Sequence, residues 1–493
     1  MFFGTSSGVG KSLMAAALCR VLLRKGEKPF PFKGQNMSNN AWVDKYGGEM
    51  AYSQVIQAWA SGLEPNSAMN PILLKPKGNE ISEVIHLGRS VGTSKADKYY
   101  EDWFDSGWAS IQEGLKQLRE LFINGRFILE GAGSPVEVNL QHRDLTNLRL
   151  ATLLKANCIL VADIERGGVF AQIIGTLALL KPNERSLIKG IIINRFRGSI
   201  SLFNSGREWI EDNTGIPVLG VMPWLNEIFP PEDSLDLLER KKTSPNKDIE
   251  IAVIKLPCIS NFSDIEPLEN ETTVNLTWIE PGDEIGNVDV IVLPGSKQTL
   301  RDLEVLISSN LDNQIKEHVK NGGDVIGICG GMQILGKELI DPECIESTNN
   351  CYKSMGLNLL PIKTVFTEKK LLNQREILIK WPEELETKGF ELHQGRSEPL
   401  DSLTSDLMPL FEDPSLGYLK RNDGLGYIIG SYLHGIFENG KWRRLWINTI
   451  REKKGLNRLP LVSTDYQEKR LNIIDSLAEE FEKNINLDLI SLD

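Results

Sequence analysis

No two of the six cysteines, Cys19, Cys158, Cys258, Cys329, Cys344 and Cys351, stand in C-x-x-C spacing. That argues against a zinc ribbon and a disulfide framework and fits a reducing compartment. No apolar run is long enough to cross a bilayer. The longest, Gly167 to Leu180, is closed off by Arg166 and Lys181, whereas a spanning helix takes about 20 residues. The start, MFFGTSSG, lacks a charged region followed by an apolar stretch, so it does not read as a signal peptide. Positive charge is not in excess: 55 Lys and Arg against 67 Asp and Glu leave a net charge of −12. That balance makes the chain a poor candidate for non-specific binding to nucleic acid, which needs a basic face. The expectation is a cytoplasmic protein with no nucleic-acid and no membrane partner. Histidine is scarce, five in 493 residues, so a reaction that needs an imidazole has few to choose from.

What is present is an ordinary folded composition, 41% hydrophobic and 25% charged, which excludes a disordered chain. Short continuous apolar runs mark buried parallel strands. In the first half these are Phe127 to Gly133, Cys158 to Ile164 and Gly190 to Phe196, with a helical pattern from Ser12 to Gly26. A polar stretch without apolar residues, Glu239 to Asp248, reads as a linker. A second series follows at Ile249 to Leu256, Val288 to Ser296 and Gly323 to Gly331. Alternating strands and helices predict an α/β fold with parallel sheets. Two domains are expected, at 1–240 and 249–493. The second would end in an amphipathic helix that carries Leu471, Ile474, Leu477 and Phe481 and packs on the domain surface.

Residues Gly4 to Ser12 read GTSSGVGKS, between a short apolar start and a helix. Gly8 and Gly10 allow the backbone to approach phosphate, whose oxygens meet backbone N–H groups at a helix start. Lys11 reaches the outer phosphates and Ser12 ligates Mg²⁺. The first glycine, Gly4, comes one residue earlier than the strict phosphate-loop pattern asks. This variant resembles the loop of dethiobiotin-synthetase-like ATPases. A partitioning-type ATPase would carry a lysine where Ser6 stands. Glu130, at the end of an apolar run and followed by Gly131 to Ser134, is placed to hold Mg²⁺ near the loop.

The run GDVIGICGGMQ puts Cys329 directly after a strand among Gly327, Gly330 and Gly331. This is a nucleophile elbow: a tight turn exposes the thiol, and the following helix start favours the thiolate. The earlier turn LPGSKQT would complete an oxyanion hole through N–H groups near Gly295. Of the histidines, His434 follows an apolar run late in the chain and is the expected base. His393 is expected to line the site or to satisfy a local hydrogen bond.

A dethiobiotin-synthetase-like ATPase followed by a class I-type glutamine amidotransferase resembles the cobyric acid synthases, the corrinoid-amidating family of cobalamin biosynthesis. The resemblance covers nearly the whole chain. It rests on KGQNMSNNAWV from Lys33, MNPILLKPKG from Met69, EGAGSPVEVNL from Glu130, DIERGGVFAQIIGTLALL from Asp163, INRFRG from Ile193, LPGSKQT, GICGGMQ and YLHGIFEN from Tyr432. Departures are Gly34 where the family usually has Pro and Glu165 where it usually has Asp. At Ile436 many amidotransferases carry the Glu of a triad; the cobyric acid branch lacks it too, which leaves the group that orients His434 open. The resemblance implies ATP and Mg²⁺ as cofactors, and glutamine and adenosylcobyrinic acid a,c-diamide as substrates, amidated at the b, d, e and g carboxylates. It adds Lys33 to the phosphate-binding donors and marks Asp144 as a catalytic acid. Cobyrinic acid a,c-diamide synthase shares both domain types. CTP synthase does too, but keeps the His-x-Glu pattern.

Overall fold

The computed structural model describes residues 1–78, 80–225, 247–346, 353–400, 406–422, 426–461 and 464–489. Most of the expected linker and Cys351 lie outside them.

Strands buried on both faces need apolar side chains throughout, and the short runs supply them. Phe2–Gly4, Cys158–Asp163, Ile188–Phe196 and Val218–Pro223 form an all-parallel sheet in that order. Pro29–Phe32 pairs in parallel with Arg126–Leu129, and a parallel bridge from Phe2 to Glu130 joins this pair to the sheet. The glycine-rich loop and Glu130 therefore sit side by side at the carboxyl edge of one layer, where ligands of open α/β sheets bind. Helix Lys11–Arg24 follows the loop directly and buries Met14, Leu18 and Leu22 against that layer.

The second half holds a seven-stranded sheet in the order Val274–Ile279, Ile249–Ile254, Val290–Leu293, Asp324–Ile328, Gly426–Ser431, Gly417–Asn422 and Leu407–Pro409. The first five strands run parallel and the last two continue antiparallel. Two features have no counterpart in the expectations above. Gln35–Met37, Ile72–Gly78, Ile81–His86 and Arg89–Lys95 make a small mixed sheet, and Ile362–Ile379 with Leu385–Pro399 makes a long hairpin.

The hairpin meets the first half. Phe390 and Leu392 are buried in one cluster with Ala41, Val43, Ala51, Leu73 and Ile85. Around this apolar patch lies a buried ionic group, with Lys75–Glu49 at 2.5 Å, Lys297–Glu83 at 2.5 Å, and Lys370 at 2.8 Å from both Glu49 and Glu83. Burial opposes the charge on Glu49, but the lysines Lys370 and Lys75 outweigh it and hold the carboxyl at about 2.

The last helix, Tyr466–Asn484, forms where its periodicity places it; its first turns touch the expected domain, where Asn270 donates to Tyr466 and Arg470 reaches Glu438, but its apolar stripe does not. Ile474, Leu477, Ala478 and Phe481 are buried in the core of the first half, beside helix Lys11–Arg24. Arg20 and Arg24 both reach Asp475 at 2.6 Å, and Ile485 bridges to Gly220. The apolar stripe is satisfied by the face of the first sheet, so chain order misassigned it.

Candidate active sites

At the phosphate loop Gly8 and Gly10 take left-handed φ values of 71° and 99°, which suits residues without a side chain. At Gly10 an added Cβ would lie 2.2 Å from Asn194 Nδ2, and at Gly4 it would lie 2.9 Å from Lys11 Nζ. The early glycine thus makes room for the loop lysine. Lys11 is buried and donates to the Ser6 carbonyl at 3.0 Å. Asn194, from the strand Ile188–Phe196, donates to the Val9 carbonyl at 2.8 Å and holds the loop from the side.

Glu130 is fully buried and collects donors from three elements. Ser12 Oγ and Lys33 Nζ each donate to Oε1 at 2.7 Å; Gln57 and Gln54 donate to Oε2 at 2.6 and 3.2 Å. Lys33 itself is 2% exposed. A buried carboxylate is stable only when paired and hydrogen-bonded, and this one is both. The structure thus brings Lys11, Ser12, Lys33 and Glu130 to one place. A carboxylate and a hydroxyl beside a phosphate loop fit Mg²⁺, which binds through one or two such groups plus substrate phosphates.

Asp144 is bound differently. Its Oδ1 accepts the N–H groups of Thr146 (3.0 Å) and Asn147 (2.7 Å), and its Oδ2 accepts that of Arg149 (3.0 Å). Both oxygens order the turn into helix Leu148–Leu154. The resemblance marks Asp144 as a catalytic acid; the structure shows it holding the start of this helix.

In the second half Cys329 has φ 51° and ψ −108° between strand Asp324–Ile328 and a six-residue helix, Gly330–Leu335. A non-glycine residue in that region is strained and is held only by its surroundings. Its N–H donates to the Ser431 carbonyl at 2.7 Å, which locks the elbow to the neighbouring strand. His434 lies just past that strand, with its ring stacked 5.2 Å from Phe390. Its Nδ1 is 2.7 Å from Asp264 Oδ2, and Asp264 Oδ1 accepts the Gly435 N–H at 2.7 Å. The buried Nε2 has no other partner among the described residues and is left to the thiol. Burial works against a charged imidazole, but the Asp264 carboxylate and the neighbouring Cys329 overcome it and lift the pKa to about 10. The arrangement sets a charged imidazole beside Cys329 Sγ.

Asp264 is the orienting group that the sequence left open. It comes from a short turn, Phe262–Ile265, and not from the position of Ile436, which is fully buried and apolar. Gly295 packs against the imidazole: its Cβ would begin 3.4 Å from His434 Cε1. Gly295 pairs with Ser260, while the Ser296 N–H lies 2.8 Å from where a Gly330 side chain would start. His393 is held locally: Nδ1 is 2.8 Å from the Gly395 carbonyl, Nε2 is 3.2 Å from Glu391, and its ring stacks on Tyr432 at 3.7 Å. It satisfies a local hydrogen bond, the second of the two roles expected for it.

Residues 1–235 match the family described as the CobQ/CobB/MinD/ParA nucleotide binding domain, and residues 250–442 match the CobB/CobQ-like glutamine amidotransferase domain. Over 99% of its length the chain is 61% identical to the cobyric acid synthase of Prochlorococcus marinus strain NATL1A, covering 100% of that protein. It is 60% identical, again over 99% of its length, to that of Parasynechococcus marenigrum strain WH8102, covering 97%. The chain belongs to the cobyric acid synthase family. Its two sites divide as that family's two domain types do, with a nucleotide-binding part around Lys11 and Glu130 and a glutamine amidotransferase part around Cys329. Among the described residues no helix is long and apolar enough to cross a membrane.

Proposed function

We propose that this cobyric acid synthase family member amidates the b, d, e and g carboxylates of adenosylcobyrinic acid a,c-diamide, with ATP and glutamine, to give cobyric acid. The observation that carries the reading is the likeness to cobyric acid synthases over 99% of the chain. The paired sites supply the chemistry. We place the ATPase part at 1–240 and the glutaminase part at 249–493 without its last helix.

In the glutaminase the Cys329 thiolate attacks the glutamine amide carbon. The His434 imidazolium, held by Asp264, delivers the proton that the departing ammonia needs, then takes one from the water that cleaves the thioester. The N–H groups of Ser296 and Gly330 flank the elbow and suit the oxyanion. In the ATPase part, Lys11 and the loop N–H groups hold the phosphates, and Lys33 adds charge where the phosphoryl group is transferred. Bound Mg²⁺, held by Ser12 and Glu130, would neutralise charge on the phosphates. A carboxylate oxygen is a poor leaving group, so the corrinoid acid is first phosphorylated; ammonia then displaces phosphate. Asp144 orders the turn beside this site and acts by positioning.

Mass spectrometry of cobyrinic acid a,c-diamide, incubated with the protein, Mg·ATP and glutamine, tests this. Four added amides are expected. No product there, with two amides on cobyrinic acid, would favour the diamide synthase instead.

A further inference from the structure

The turn that carries Asp264 is held from across the domain boundary. Asn261 takes a left-handed conformation, φ 51° and ψ 41°, which asparagine tolerates. Its N–H donates to the Asn39 carbonyl at 3.2 Å, and its Nδ2 donates to the Ala41 carbonyl at 2.6 Å. Ser263 Oγ donates to Asn40 Oδ1 at 2.8 Å. Three consecutive residues of the first half therefore grip the turn up to the residue before Asp264. Within the turn, the Asp264 N–H returns to the Asn261 carbonyl at 3.0 Å. All of Asn40, Ala41, Asn261, Ser263 and Asp264 are buried, so a lost bond leaves a buried polar group unmet.

Asn40 is itself fixed. Its N–H donates to Ser38 Oγ at 3.0 Å, and its carbonyl accepts the Tyr52 N–H at 3.0 Å. Tyr52 opens the helix Tyr52–Ala60, whose Gln54 and Gln57 hold Glu130. The acceptor offered to Ser263 is thus built on the helix that supports the phosphate-loop carboxylate.

We propose that Asn40, Asn261 and Ser263 are positioning residues of the glutaminase, through which the first domain sets Asp264 and hence the alignment of His434 on Cys329. The proposal rests on the glutaminase reading above. It makes release of ammonia conditional on the docked presence of the domain that consumes it.

The test uses the full chain with Asn40→Ala, Ser263→Ala, the double variant and Ser263→Thr. Glutamate release from glutamine is read beside amidation driven by ammonium chloride. Each alanine variant should lose about 10- to 100-fold in glutaminase kcat, the size expected for a displaced catalytic group, with KM for glutamine nearly unchanged. The double variant should be no worse than the single ones, because one hydrogen bond is removed in all three. Ser263→Thr, which keeps the hydroxyl, should restore kcat. Ammonium-driven amidation by Ser263→Ala should match the parent chain. Unchanged kcat in the alanine variants, additive losses, or a parallel fall in ammonium-driven amidation would each overturn the proposal. A parent chain that releases no glutamate would instead overturn the glutaminase reading itself.

Discussion

The Asp264 carboxylate supports His434 through Nδ1, and its charge is a principal reason the imidazole stays protonated far above its ordinary pKa. Asp264→Asn keeps the shape and removes the charge. Glutaminase kcat should fall by about 10²- to 10⁴-fold, by analogy with loss of the orienting acid in a hydrolytic triad. The alkaline limb of kcat/KM should move to lower pH, since the imidazolium loses its proton sooner. Stability follows the same sign. A histidine lifted from 6.5 to about 10 contributes most below pH 6.5, and that contribution disappears as pH rises through 10. The gap in melting temperature between parent and Asp264→Asn should therefore be widest at pH 6 and shrink toward pH 10. Cys329→Ala should abolish glutamine-dependent amidation while added ammonium salt still supports it, a difference that product analysis reads directly.

Cys329 and His434 were legible in the sequence because the elbow is local and histidines are few. Asp264 was not. It lies 170 residues from His434 and sits in NFSDIEP without a motif. The pairing of Ile259–Ser260 with Gly295–Ser296, which no local pattern announces, helps bring its turn to the ring. Asp144 was marked by the resemblance alone, because an acid in a polar loop reads alike whether it caps a helix or meets a substrate.

Among the elements, the parallel strands announced themselves because burial on both faces leaves unbroken apolar runs. The small mixed sheet and the long hairpin did not. Ile362–Ile379 alternates only weakly and carries many charged residues, one of which, Lys370, pairs across the domain boundary although it looks like surface in the sequence. Lys33 shows what such hidden pairing costs. Lys33→Met would leave Glu130 buried without the ammonium 2.7 Å away that pairs with it. Unfolding in denaturant should show a loss of about 3–5 kcal/mol, the usual penalty for breaking a buried pair. Glutamate release by the folded fraction should persist while ATP-dependent amidation is lost.

For the whole molecule the two cores are not independent in the way that chain order suggests. Phe481, fully buried, belongs to the first core although it lies near the end of the chain. Phe481→Ala should cost about 3–5 kcal/mol, read as a lower melting temperature. Nucleotide binding should weaken at least as much as glutaminase activity.

The return of the last helix also sets a timetable. A ribosome making this chain completes the strands of the first sheet by residue 223, but the helix that covers one face of it ends at residue 484. At about 5–20 residues per second, the interval is roughly 13–50 s. During that time the core of the nascent ATPase half lacks Ile474, Leu477, Ala478 and Phe481, which the last helix supplies. A chain stalled or cut after its first 240 residues would be recognised by chaperones and proteases as unfinished, although every strand of its nucleotide-binding sheet has been made.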